Sequence, residues 1–144
     1  MNPVKVFEEE RKIEIEQMGK DKDFCQESAR WFEASVKQRY SYNFKWLGRP
    51  IIQYPQDMVA IQEIIWDTKP DLIIETGIAH GGSLIFHASI LELLGGKGQV
   101  VGIDIDIRAH NRNEIEKHPL SKRVTMIEGS SVDENTVAQV RKYT

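Results

Sequence analysis

Glu75, Gly77, Gly81, Gly82 and Ser83 fall together in the run Leu72–Ser83, LIIETGIAHGGS. A carboxylate, a glycine-rich turn and a hydroxyl at that spacing suit a ligand carrying both charges. Glycines let backbone approach a ligand closely. A helix opening after the turn offers unpaired N–H groups and a positive partial charge to an anion. The acid prefers a cation or a hydroxyl. Two further clusters follow. Asp104 stands 29 positions after Glu75 (104 − 75 = 29), and Gly129-Ser130-Ser131 comes later still. An acid at the second cluster is placed to accept hydrogen bonds from ribose hydroxyls, and Ser130 and Ser131 can line an adenine edge. Together the three clusters point to a nucleoside-containing cofactor. His80, inside the turn, is the one histidine with a mechanistic claim. It either approaches an acceptor or fills the turn and bonds to backbone. His87 falls on a helix, and His110 and His118 lie near surface turns, with no metal-ligand spacing among them. Asp106 reads as a solvated loop acid.

What would bring these clusters together is a parallel sheet. Leu72-Ile73-Ile74 is wholly apolar, as in a strand buried on both faces, and Glu75 ends it. Ser83 opens a helix over 84–94, stopped by Gly95-Gly96-Lys97-Gly98. A second strand over 99–103 ends in Asp104. A weak helix over 107–118 and a third strand over 123–127 follow. Ser131 and Glu134 have capping-box spacing for a last helix over 132–142. Right-handed crossovers put the three strands in one sheet of order 3-2-1, the incomplete half of a Rossmann-like three-layer αβα fold. The first strand is then an edge that lacks a partner. This predicts weak stability in isolation, or a second copy or partner chain along that edge.

Upstream, Asn2-Pro3 starts a charged helix over 4–18, ended by Gly19. Asp23 caps a second helix to about Tyr40, where Phe24, Ser28, Trp31, Phe32, Ser35 and Val36 make one apolar face with core packing as its default role. Cys25, in that helix, reads as a small buried hydrophobe. The aromatic segment 40–54 fits no period and is either a loop packed on a core or a lid. Pro55 or Asp57 starts a helix to about Asp67, with Met58, Ile61 and Ile65 inward. The expected organisation is a helical region with an aromatic cap loop over 1–54, then the half-sheet domain over 55–144.

Composition narrows the function. The 144 residues are 40% apolar and 28% charged, with a formal net charge of −3, those of a globular protein without the basic footprint of a nucleic-acid binder. No apolar run approaches a membrane span, and the N-terminus has no signal-peptide core. One cysteine allows no internal disulfide and suits a reducing cytoplasm.

The glycine spacing separates the nucleotide folds. A dinucleotide fingerprint requires G-x-G-x-x-G, whereas Gly77 is followed by Ile78 and the next glycine is Gly81, which disfavours a nicotinamide-binding hydroxylase. His80-Gly81-Gly82-Ser83 lacks the lysine of a phosphate loop. Strand–E-x-G-x-x-x-G-G-S with a later strand-tip Asp resembles class I S-adenosylmethionine (SAM)-dependent methyltransferases. More closely, NFKWLGRPIIQYPQDM, ETGIAHGGSL, VVGIDIDIR and IEGSS make residues 42–131 similar to the cephalosporin hydroxylase/rhamnosyl O-methyltransferase family. The resemblance implies a SAM-dependent O-methyltransferase acting on a small hydroxylated or glycosylated metabolite. By it, Glu75, Gly77, Gly81 and Ser83 contact the methionine part, Asp104 the ribose, and Ser130 and Ser131 the adenine side. The Trp46–Tyr54 loop lies over the pocket. A divalent metal such as Mg is held by carboxylates beyond the third strand, outside this chain. The alternative from another class is a non-catalytic remnant or a binding module needing a partner chain.

Overall fold

The computed structural model describes residues 2–144. They form two compact units, divided between Tyr40 and Ser41. The expected boundary after Tyr54 is therefore too late, because the aromatic segment belongs with the sheet.

The first unit is a pair of helices, α1 (Pro3–Lys20) and α2 (Lys22–Lys37). Asn2 caps α1 by accepting from the Val4 N–H at 3.0 Å, and Pro3 stands at the first helical position. Gly19 does not end α1. Asp21 does, and its Oδ1 also caps α2 by accepting from the Asp23 and Phe24 amides, a role expected of Asp23. The apolar stripe of α2 is not core. Phe24, Trp31, Phe32 and Val36 are about half exposed, and only Ser35 is buried. Period alone cannot say whether a face is covered, and Val4, Phe7, Ile13, Ile15 and Met18 of α1 are exposed as well. Cys25 is exposed too, with its Sγ 3.5 Å from the Met18 carbonyl oxygen.

The second unit opens with a hairpin that periodicity did not reveal. β1 (Phe44–Trp46) pairs antiparallel with β2 (Arg49–Ile51). The Leu47–Gly48 turn has both φ angles positive, the geometry whose twist matches paired strands. Then follow α3 (Pro55–Thr68), β3 (Leu72–Thr76), α4 (Gly82–Leu94), β4 (Gln99–Asp104), α5 (Ala109–Glu116), β5 (Val124–Glu128) and α6 (Glu134–Val140). Asp133 caps α6 through the Asn135 and Thr136 amides, in place of the expected Ser131.

β3, β4 and β5 form one parallel sheet in that order, with Ile74 opposite Val101 and Val101 opposite Thr125. The fold is Rossmann-like. One face carries the main core, where Leu84, Ile85, Phe86, Ala88 and Leu91 of α4 pack with Val100, Ile51, Ile65 and Ile115. The other face packs Val101, Ile103 and Ile127 against Val140. α4 is apolar nearly all round because it is covered nearly all round. The free edge of β3 pairs with no strand among the described residues, and Ile74 on it is exposed.

Candidate functional site

In a parallel sheet every strand ends at the same edge, and ligands bind there. Here the three tips are laced together. The Gly77 N–H donates to the Ile103 carbonyl and the Gly129 N–H to the Asp104 carbonyl, both at 2.8 Å. Glu75, Asp104 and the 129–131 segment thus share one edge of the molecule.

The turn after β3 is a rigid seat. Gly77, Ala79 and Gly81 all have positive φ, at 82°, 43° and 76°. For Ala79 that conformation costs about 1–2 kcal/mol, and both its backbone groups are held. Its N–H donates to Asp104 Oδ2 at 3.4 Å, and its carbonyl accepts from Asn111 Nδ2 at 2.9 Å. Asp104 Oδ2 also accepts from the Ile78 N–H at 2.8 Å, while Oδ1 accepts from the Asp106 N–H. Beyond the turn, Arg49 of the hairpin donates to the His80 carbonyl through Nε at 3.1 Å and Nη2 at 2.6 Å, and to Asn111 Oδ1 at 3.1 Å. Pro50 covers Gly82 so closely that a side chain there would collide with its carbonyl. The aromatic segment is therefore packed on the core. Trp46 is edge-on to Phe86 and donates to Ser89 Oγ at 3.0 Å. It also borders the site, since Ile52 and Gln53 line a cavity with Glu75, Gly77, His80 and Ser83.

The expected site residues divide into groups. Glu75 lies beneath the first turn of α4, where Ser83 Oγ donates to its Oε1. Gly77 faces open space: nothing stands within 4 Å of where a Cβ would be. Gly81 serves packing as well, because a side chain there would strike Ile115 of α5. α4 begins at Gly81 without any side-chain cap, leaving its first amides available to an anion. Asp104 lines a second, polar cavity of 270 Å³ with His80, Asp106, Arg108 and Asn111. Ala79 and His80 border both cavities. Ser130 and Ser131 follow the third tip but line neither. A larger cavity, 710 Å³ and apolar, is lined by Trp46, Leu47, Leu93 and Leu120 near the far end of α4, away from the strand tips. Size is no guide to chemistry here.

Arg49 and Asn111 escaped the sequence reading. Each acts across a sequence separation that no local pattern encodes; a basic residue just after a Leu-Gly turn was the only signal for Arg49.

The hollow at Gly77, the uncapped helix and the strand-tip acid fit a zwitterionic ligand end. Among the described residues no group of three or more His, Cys, Asp or Glu side chains is gathered to hold a metal. No helix among them is long and apolar enough to cross a membrane.

Fold and edge together define a Rossmann-like domain whose three strand tips meet at one edge. A family model described as Rhamnosyl O-methyltransferase/CmcI matches residues 38–144. The chain belongs to that family. It is 27% identical over 97 residues to a rhamnosyl O-methyltransferase of Mycobacterium leprae (strain TN), covering 67% of this chain and 40% of that protein. It is 30% identical over 89 residues to one from Mycobacterium bovis (strain BCG / Pasteur 1173P2), covering 60% and 34%. The chain thus spans well under half the length of these relatives. Among solved structures, the apo form of CmcI superposes with a TM-score of 0.56 at 24% identity, covering 70% of this chain and 42% of that one. A Mg-SAM form gives 0.53 at 24% identity over 67% and 40%. At that identity the likeness concerns the fold.

Proposed function

We infer that this chain carries the SAM-binding half of an O-methyltransferase whose acceptor is a small hydroxylated or glycosylated metabolite, working in the cytoplasm. The observation that carries this reading is the juxtaposition, on one sheet edge, of the Glu75 carboxylate, the hollow at Gly77 and the uncapped N-terminus of α4. Family membership supports it. SAM supplies an electrophilic methyl group on a sulfonium. The residues here hold and orient it. Glu75 takes the ammonium, with Ser83 steadying the carboxylate. The amides after Gly81 take the ligand carboxylate. Asp104, already fixed by three amides, keeps one lone pair, on Oδ1, for a ribose hydroxyl. Ser130 and Ser131 flank the adenine. His80, fixed through its carbonyl by Arg49, borders both cavities, where an acceptor oxygen can approach. Alignment of acceptor, methyl and sulfur can be worth up to ~7–11 kcal/mol, which is why so much of the chain is spent on making one turn rigid.

Calorimetric titration of SAM or S-adenosylhomocysteine into the purified chain tests the reading. Saturable binding with one site per chain is expected. No heat at millimolar ligand would overturn it. Binding without transfer to any hydroxylated acceptor, restored by a partner chain, would favour a binding module instead.

A further inference from the structure

Beneath the turn lies an unfinished contact. Glu75 and His87 are side by side on β3 and α4, with His87 Nε2 3.3 Å from Glu75 Oε2. Both side chains are largely buried, at 17% and 13% exposed. Yet Glu75 Oε2 and His87 Nδ1 are each fully buried with no hydrogen-bond partner. The two groups are close enough to bond but are not aligned to do so. Native interiors rarely leave such atoms unpaired, because each has lost its water without gaining a partner. A carboxylate only accepts, so the imidazole must turn Nε2–H toward it; the other tautomer would set two lone pairs against each other. The second oxygen, Oε1, is held by Ser83, which with Glu75 lines the cavity at Gly77.

We propose that His87 is the positioning residue for the cationic end of the ligand. It anchors the inner oxygen of Glu75 so that the outer one, shared with Ser83, faces the hollow at Gly77. A ligand ammonium arriving at Oε1 turns the carboxylate and brings Oε2 into line with Nε2–H. Hydrogen bonds of this kind are commonly long in a free site and tighten on occupancy. The proposal rests on the assignment of Glu75 to the amino-acid end of the ligand. It adds that ammonium recognition depends on a residue one helical turn below Ser83 that touches no ligand.

The test compares two ligands on the full chain. S-adenosylhomocysteine has the amino-acid end; 5′-methylthioadenosine has the same nucleoside thioether without it. For His87→Ala, affinity for S-adenosylhomocysteine is expected to fall about tenfold or more, the loss typical of one charge-assisted bond. Affinity for methylthioadenosine stays within about twofold. His87→Gln, whose amide can donate to Oε2, recovers most of the loss. In the wild-type chain labelled with ¹⁵N-histidine, S-adenosylhomocysteine brings the Nε2–H proton into slow exchange and methylthioadenosine does not, a readout that stands even if His87→Ala fails to fold. Equal loss for both ligands, unchanged affinity in His87→Ala, or an Nε2–H signal indifferent to the amino-acid end would overturn the role of His87. Wild-type chain that binds neither ligand removes the SAM reading itself, and this proposal with it.

Discussion

Two arginines hold two glycine-rich turns at opposite edges of the same sheet. Arg49 grips the turn after β3 at the carboxyl edge through the His80 carbonyl. Arg123 grips the 95–98 turn at the amino edge through the carbonyls of Gly98 at 2.8 Å and Gly96 at 3.3 Å. Their side chains are 12% and 10% exposed. The difference lies in what each turn has left to offer. At the amino edge the arginine is closed off by Glu92, which pairs with both Arg123 and Lys122. At the carboxyl edge the turn presents a hollow, an uncapped helix and a strand-tip acid. The first is a clasp and the second is a seat. A buried guanidinium on a glycine turn is therefore not in itself a sign of function; the chemistry left unspent around it is.

Replacing each arginine breaks the comparison most directly. Arg123→Met leaves the Gly98 and Gly96 carbonyls without their donor, and is expected to cost roughly 1–3 kcal/mol in stability. Ligand affinity, read by calorimetry on the folded fraction, should stay within about twofold. Arg49→Met should cost roughly 2–3 kcal/mol and also weaken S-adenosylhomocysteine by about tenfold or more, because the seat loosens with it. Denaturant melts and titrations on both variants check the pair. Parallel affinity losses would erase the distinction between clasp and seat.

Gly77→Ala sharpens it. A side chain at φ 82° is strained by about 1–2 kcal/mol, and its methyl would occupy the hollow. A loss of affinity well beyond what the modest destabilisation explains is expected in a titration. Ala79→Gly is the inverse case. It relieves a left-handed alanine and should raise stability by up to about 1 kcal/mol in a denaturant melt, at some expense in ligand affinity as the turn gains freedom.

The legibility of these features follows the range of the contacts that make them. The three strands, their order and the acids at their tips could be read from apolar runs ended by Glu75, Asp104 and the Gly129 turn, because each is a local pattern. The 44–51 hairpin was missed because its strands run for only three residues a side, too few to show a period. The Leu47-Gly48 turn was its one clear mark. Arg49 to Asn111, 62 positions apart, and Glu75 to His87 are visible only once the crossover folds α4 and α5 onto the sheet. The α2 stripe misled in the opposite way: a spacing fit for a core stands in solvent, because a period specifies a face and says nothing of what covers it.

The smallest effect concerns acid, and it separates the two edges by charge. At the amino edge the Glu92 carboxyl is held below its ordinary value of 4.5. Hydrogen bonds from Lys122 and then Arg123 lower it, against a smaller opposing effect of desolvation. A carboxyl whose folded pKa is depressed binds its proton more readily in the unfolded chain. Its contribution is therefore complete above the unfolded value near 4.5 and disappears as pH falls through the lower folded value. Glu92→Gln removes this dependence. The variant is expected to be slightly less stable at neutral pH, to converge with the wild type as pH falls through the depressed folded value, and to bind ligand as the wild type does at pH 7. Melts from pH 7 to 3 with matched titrations at pH 7 check this. If the variant loses ligand affinity, Glu92 reaches the far edge through α4, whose other end is Ser83, and the clasp is coupled to the seat after all.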